Sequence, residues 1–159
     1  MNIRDLQASL PRDGELLWLA TRPARDQPMQ VADSVRLIAD RGVEGDRGAR
    51  RAGGQRQVTL LQLEHLAVLA TLLGGGSVDP ALLRRNLLVG GINLLALRTR
   101  RFHIGAALLE GTGHCHPCSR MERALGAGGY NAMRGHGGIT ARVLTGAVIQ
   151  RGDVVRSAD

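Results

Sequence analysis

Arg101-Phe102-His103-Ile104-Gly105-Ala106-Ala107-Leu108-Leu109-Glu110-Gly111 is the stretch whose reading decides the fold class. It sets two short extended runs, Arg101 to Ile104 and Ala106 to Gly111, on either side of one glycine. Toward the C-terminus the pattern repeats: Ile139 to Leu144 and Ala147 to Gln150 flank Thr145-Gly146, and Asp153 to Arg156 closes the chain. Only Cys118 to Leu125 interrupts this half with helical character. The 22 glycines among 159 residues imply many turns and close backbone approaches, which suit a short-stranded barrel better than a helical bundle. The expected fold is mainly β, a barrel with a few short helices, around an aliphatic core, since the chain has one Trp, one Tyr and one Phe.

Toward the N-terminus, Glu15 to Thr21 is a short apolar run that reads as the first strand, and the two prolines of Arg22 to Gln30 make that segment a loop. Val31 to Asp40 has mixed periodicity and runs into the glycine-punctuated turn Gly42 to Arg47. Arg47 to Arg56, rich in Gly and Arg, reads as a flexible connection, and Gln57 to Leu61 as a strand. Leu63, Leu66, Ala67, Ala70 and Leu73 recur at helical spacing, which predicts a helix over Gln62 to Leu73 ended by three glycines. Asp79-Pro80 starts a second short helix, and Asn86 to Val89 turns extended. Met1 to Gly14 lacks a secretory apolar core and is expected to be a poorly ordered or loosely docked leader, with residues 15–159 forming one domain.

The net charge of +7 comes entirely from arginine, because the sequence contains no lysine. Solvated surface accounts for such a surplus, and so does an anionic small-molecule partner, since guanidinium grips phosphate and carboxylate with two parallel bonds. A nucleic-acid partner is disfavoured: no basic run is interleaved with aromatics, and no recognition motif is present. Without lysine the chain cannot form a pyridoxal phosphate Schiff base, so it is not itself a cysteine desulfurase of that type. Two cysteines, no signal peptide and no long apolar segment fit a reducing cytoplasm and give no sign of a membrane span.

His114-Cys115-His116-Pro117-Cys118 is the densest cluster of reactive side chains. A thiol at a helix start gains acidity from the backbone N–H groups and the dipole, and Arg120 and Arg123 add to that field. The bland reading is a pair of half-buried cysteines beside two surface histidines. A structural zinc site would need further ligands such as His103 or His136, and haem attachment would need His where Ser119 stands. A thioredoxin-like dithiol matches the Cys115-x-x-Cys118 spacing, but its late position, followed by extended segments, argues against that fold.

Val43-Glu44-Gly45-Asp46-Arg47 followed by Arg56-Gln57-Val58-Thr59-Leu60 is similar to the N-terminal signature of MOSC domains, named for the C-terminal domain of molybdenum cofactor sulfurase. Arg84-Arg85-Asn86-Leu87-Leu88-Val89 resembles the family's Arg-x-Asn block, and Gly105 to Glu110 leads into Cys115-x-x-Cys118 as its cysteine segment does. Gly137 to Val143 and Gly146 to Asp153 look like its closing hairpin. Each block is weak alone; their order over about Glu15 to Arg156 is specific.

The resemblance implies a MOSC-type β-barrel that binds molybdenum cofactor (molybdopterin). Cys118 takes the place of the reactive thiol, as sulfur carrier or as the molybdenum thiolate ligand. Arg84 and Asn86 match the cofactor-contacting block, Arg47 matches the basic residue of the early signature, and His116 would touch the cofactor or tune the thiolate. Arg47 has an alternative as a salt-bridge partner of Asp46 or Glu44. Many family members carry His where this chain has Gly48. Two uses of the thiol stay open, sulfur delivery fed by a cysteine desulfurase and reduction of N-hydroxylated compounds with an electron-donor protein. A non-catalytic cofactor-binding or chaperone module and a cysteine-pair redox protein are the alternatives from other classes.

Overall fold

The computed structural model describes residues 1–158. Eleven strands are present: β1 (Gly14–Thr21), β2 (Gln30–Ala32), β3 (Ser34–Ile38), β4 (Gly42–Val43), β5 (Val58–Gln62), β6 (Leu87–Gly90), β7 (Arg101–Ile104), β8 (Ala107–His114), β9 (Ile139–Thr145), β10 (Ala147–Gln150) and β11 (Val154–Ser157). Among the described residues four short α-helices accompany them: α1 (Ile3–Ala8), α2 (His65–Leu72), α3 (Ser119–Leu125) and α4 (Gly129–Met133). Seven strands close into a barrel in the order β11-β7-β8-β9-β5-β6-β1, because β1 returns to β11 at Gly14↔Val155 and Glu15↔Val154. Closure leaves those seven without the unpaired edge that an open sheet would expose. The fold is the mainly β barrel with a few short helices that the sequence implies.

All neighbours in the barrel are antiparallel except β5 and β6, which run parallel with Leu60 opposite Leu87. Both strands are buried throughout, because successive residues serve two cores. Leu60, Leu87 and Val89 point into the barrel with Leu16, Leu19, Phe102, Leu109 and Val143. Leu61 and Leu88 point outward into a second cluster with Leu69, Leu83, Met121 and Met133. That outer cluster seats α3, whose start carries Cys118.

Within Met1 to Gly14, Asn2 caps α1 through a capping box with Asp5, and none of the helix's side chains is buried. Two sequence expectations need correction. The segments flanking Thr145-Gly146 do not form a hairpin. β9 inserts between β8 and β5, whereas β10 crosses to a separate sheet of order β10-β3-β4, where Ile149 pairs with Val35. A Cβ on Gly146 would stand 2.5 Å from the Leu37 carbonyl, so the crossing needs glycine. The helix predicted from Gln62 begins only at His65, because the Gln62 amide is held by the Ile92 carbonyl and the Leu94 N–H, each at 2.9 Å. α4 was not anticipated at all.

Candidate functional site: arginines beside an exposed thiol

Beyond β8 the chain turns Cys115 inward and Cys118 outward. The Cys115 N–H donates to the Gly138 carbonyl at 2.9 Å and its side chain is 2 % exposed. Cys118 is exposed at the cap of α3, where its carbonyl accepts the Met121 N–H at 2.9 Å. Met121, buried in the outer cluster, anchors that helix start. Both cysteines are free thiols.

Beneath this loop lies Arg85, 4 % exposed. Its guanidinium donates to three carbonyls: Gly137 at 3.0 Å, Leu83 at 3.0 Å and Cys115 at 3.3 Å. Burial pulls its pKa below the ordinary value, while the Cys115 and Cys118 sulfurs act in the opposite sense. Among the described residues no carboxylate pairs with it.

Asn86 and Asp46 tie this region together. Asn86 Oδ1 accepts the Thr59 N–H and hydroxyl, each at 3.1 Å, and Nδ2 donates to the Ala20 carbonyl at 3.3 Å and to Asp46 Oδ1 at 3.0 Å. Asp46 Oδ1 also accepts the Arg22 N–H at 2.6 Å, and Oδ2 accepts the Gly48 N–H at 2.8 Å. Both side chains are 4 % exposed. The Asn86 amide is thus spent inside the protein, joining the ends of β1, β5 and β6 to the Asp46–Gly48 turn. Neither acid of the early signature is spent on Arg47: Asp46 is committed as above, and Glu44 faces Arg36 at 3.7 Å. A Cβ at Gly48 would stand 3.0 Å from Asp46 Oδ2, so a side chain there would press that carboxylate back by a few tenths of an ångström.

Around this frame gather Arg22, Arg47, Arg56, Arg84 and Arg120. Burial lowers the Arg22 pKa, Asp46 opposes it, and the charges of Arg56, Arg84 and Arg47 lower it further. Arg84 is lowered by burial and by Arg120, against Asp26 and Asp46. Arg84 ends the Pro80–Leu83 turn in the left-handed region, φ +59°, and its terminal nitrogens donate to the Gln27 carbonyl at 2.7 Å and the Ala24 carbonyl at 3.4 Å. The Nε atoms of both Arg22 and Arg84 are buried with no partner. Two guanidinium donors turned inward and left unmatched are what an oxyanion would satisfy.

The histidines sit to one side. His116 is exposed, with its ring centroid 5.6 Å from that of His114. His65 and His114 line a cavity of about 180 Å³, and His65 meets His136 edge-on at 4.9 Å. Burial lowers the His65 pKa, His136 lowers it further, and Glu64 opposes. The unfolded chain therefore binds the proton more readily, so the neutral ring's contribution is present above the ordinary histidine pKa and is lost as pH falls through the depressed one. Melting temperatures of the wild type and His65→Gln should converge as pH drops below about 6. A constant difference across that range would remove His65 as the cause. Among the described residues no group of three or more His, Cys, Asp or Glu is placed to hold a metal ion, so the structural zinc reading has no ligand set.

Arg47, Arg84 and Cys118, singled out in the sequence, thus lie around one charged region, with Asn86 beneath it and His116 beside His114. The sequence pattern did not single out Arg22, Arg56 or Arg85. Arg85 directly follows Arg84, but the left-handed turn at Arg84 breaks the alternation that would have told which of the two faces inward.

A family model for the MOSC domain matches residues 47–156. The YuaD protein from Bacillus subtilis has a similar structure, with TM-score 0.79, 18 % identity, and coverage of 92 % of this chain and 97 % of that one. YiiM from Geobacillus stearothermophilus gives TM-score 0.72 at 14 % identity over 92 % of this chain and 75 % of that one. YiiM from Escherichia coli gives 0.71 at 18 % identity over 94 % and 71 %. No curated protein matches the sequence. With the matched span running from the Arg47 turn through Asn86 and Cys118 to the last strand, the chain belongs to the MOSC domain family.

Proposed function

We propose that this MOSC domain binds molybdenum cofactor through the arginine cluster and uses Cys118 as a single reactive thiolate. The observation that carries the reading is the pair of buried, unpartnered Nε donors on Arg22 and Arg84, in a cluster whose buried acid, Asp46, is already fully engaged. The donor set fits the cofactor's phosphate, because guanidinium matches its geometry and no lysine competes for the role. When bound, the cofactor would supply a molybdenum centre for redox or sulfur chemistry. Arg22 and Arg84 bind its anionic end; Asp46 and Asn86 hold the Arg22 backbone and the Asp46–Gly48 turn in register. Arg85 braces the cysteine loop through the Cys115 and Gly137 carbonyls, and Cys118 at its exposed end would hold molybdenum or carry a sulfur. Sulfur delivery and reduction of an N-hydroxylated compound are two uses of that same sulfur.

Protein made in cofactor-replete cells should carry molybdenum and release a fluorescent oxidised pterin in equal amounts. The Arg22→Ala/Arg84→Ala double variant should lose both about tenfold or more, since each charge-assisted bond contributes about 1.5–3 kcal/mol. Full retention of both by a variant that melts near the wild type would refute the site.

A further inference from the structure

The loop from Arg22 to Gln30 is attached to the rest of the protein in an unusual way. Between Pro23 and Pro28 no backbone group pairs with a strand among the described residues. Its anchors are arginine side chains: Arg50 donates to the Pro23 carbonyl at 2.8 Å, and Arg84 to the Ala24 and Gln27 carbonyls at 3.4 and 2.7 Å. Arg120 meets Asp26 Oδ1 at 3.3 Å. Arg84 and Arg120 border the proposed anion site, and Arg120 lies two residues beyond Cys118.

We propose that this loop is an internal occupant of the arginine site, and that Asp26 sets which anions can enter it. The inference rests on the arginine cluster being an anion site. Three features identify the loop as a displaceable stand-in. Its carbonyls take the terminal nitrogens of Arg84 but leave Nε buried and unpartnered, so they are a poor match for a group that binds two adjacent oxygens. Asp26 is a non-glycine residue held at φ +63°, a conformation that the rest of the loop must sustain. Its carboxylate makes one contact while its side chain stays 79 % exposed, and an exposed ion pair of that kind is weak. A phosphoryl dianion offers paired oxygens and a larger charge, so it outcompetes the carbonyls at Arg84 and the carboxylate at Arg120. A monoanion such as acetate offers no gain over Asp26 itself.

The probe is inorganic pyrophosphate, titrated calorimetrically against acetate, on the wild type, Asp26→Asn, Glu44→Gln and the Arg22→Ala/Arg84→Ala double variant. Glu44→Gln changes the net charge equally but touches no part of the loop. Loop release is read separately, by mass spectrometry of tryptic cleavage after the exposed Arg25. Asp26→Asn should bind pyrophosphate about three- to tenfold more tightly than either the wild type or Glu44→Gln, in line with loss of one weak ion pair, and should gain acetate binding. Pyrophosphate should speed cleavage after Arg25 in the wild type, and protein from cofactor-replete cells should be cut there faster than protein from cofactor-deficient cells. Acceleration by pyrophosphate alone would assign the loop to free phosphates rather than to the cofactor. If pyrophosphate binds and the double arginine variant loses it, but Asp26→Asn behaves like Glu44→Gln or Arg25 is cut no faster, the loop proposal is overturned while the anion site stands. If the wild type binds no pyrophosphate, or the double variant binds it unchanged, the anion site itself is refuted.

Discussion

Cys118→Ser should abolish persulfide labelling and molybdenum retention, while Cys115→Ser keeps most of both. The two sulfurs occupy opposite environments. Cys118 is open to solvent at the start of α3, and Cys115 is 2 % exposed with its carbonyl bound to Arg85. A persulfide carrier or a metal thiolate uses one accessible sulfur, whereas a dithiol oxidant uses two. Cys115→Ser should instead show a stability loss of about 1 kcal/mol, because a hydroxyl replaces a buried thiol that packs as a small hydrophobe. Persulfide labelling, molybdenum content and melting temperature on the two variants separate these effects. Equal loss of labelling in both would favour the dithiol reading, and equal retention would return the pair to ordinary cysteines. With no lysine for a pyridoxal aldimine, persulfide should form only with an added desulfurase or another donor of sulfane sulfur, which transfers its outer sulfur to the Cys118 thiolate and leaves as a thiol. Its formation from free cysteine by this chain alone would contradict the mechanism.

The second large effect is expected at Asn86, and it is one of stability. Asn86→Ala would take the amide from the Ala20 carbonyl and the Thr59 N–H in a buried place, and would leave Asp46 Oδ1 with the Arg22 N–H as its remaining donor. Uncompensated buried polar groups cost about 1–3 kcal/mol each, and part is recovered by relaxation, so a net loss of about 3–4 kcal/mol is expected. In a domain of this length that lowers the melting temperature by about 10 °C. Chemical denaturation and thermal melting both read it without any cofactor. A variant that keeps the wild-type melting curve yet loses molybdenum would make Asn86 a direct ligand contact and overturn the positioning role argued from its hydrogen bonds.

Much of the barrel was legible because strands announce themselves by composition. The apolar runs at Glu15 to Thr21 and Gln57 to Leu61 each became a strand of the closed sheet, and Arg101 to Gly111 became two, β7 and the start of β8. Their partners were less legible. Nothing local in Ala147 to Gln150 says that it abandons β9 for β3, since that pairing depends on Leu37 and Val35 more than a hundred residues earlier. α4, five residues with two glycines at its edge, carries too little periodicity to be seen in a chain read alone.

The same division runs through the candidate site. Arginine as the sole cation, the absence of lysine and the spacing of Cys115 and Cys118 belong to the sequence by itself; they exclude the pyridoxal route and leave solvated surface and an anionic partner as the two readings of the charge. Which arginine faces inward, which cysteine is exposed and what Asn86 does were decided only by tertiary structure. Arg85, not Arg84, is the buried residue, and the left-handed turn that sets this is at Arg84. Arg22 joins Arg84 because β1 and β6 are neighbours in the barrel, although more than sixty residues lie between them. Side-chain type and local spacing are carried by each residue and its near neighbours, so they survive in a linear reading. Burial and hydrogen-bond partnership are properties of groups brought together by closure of the barrel, and no local pattern encodes them.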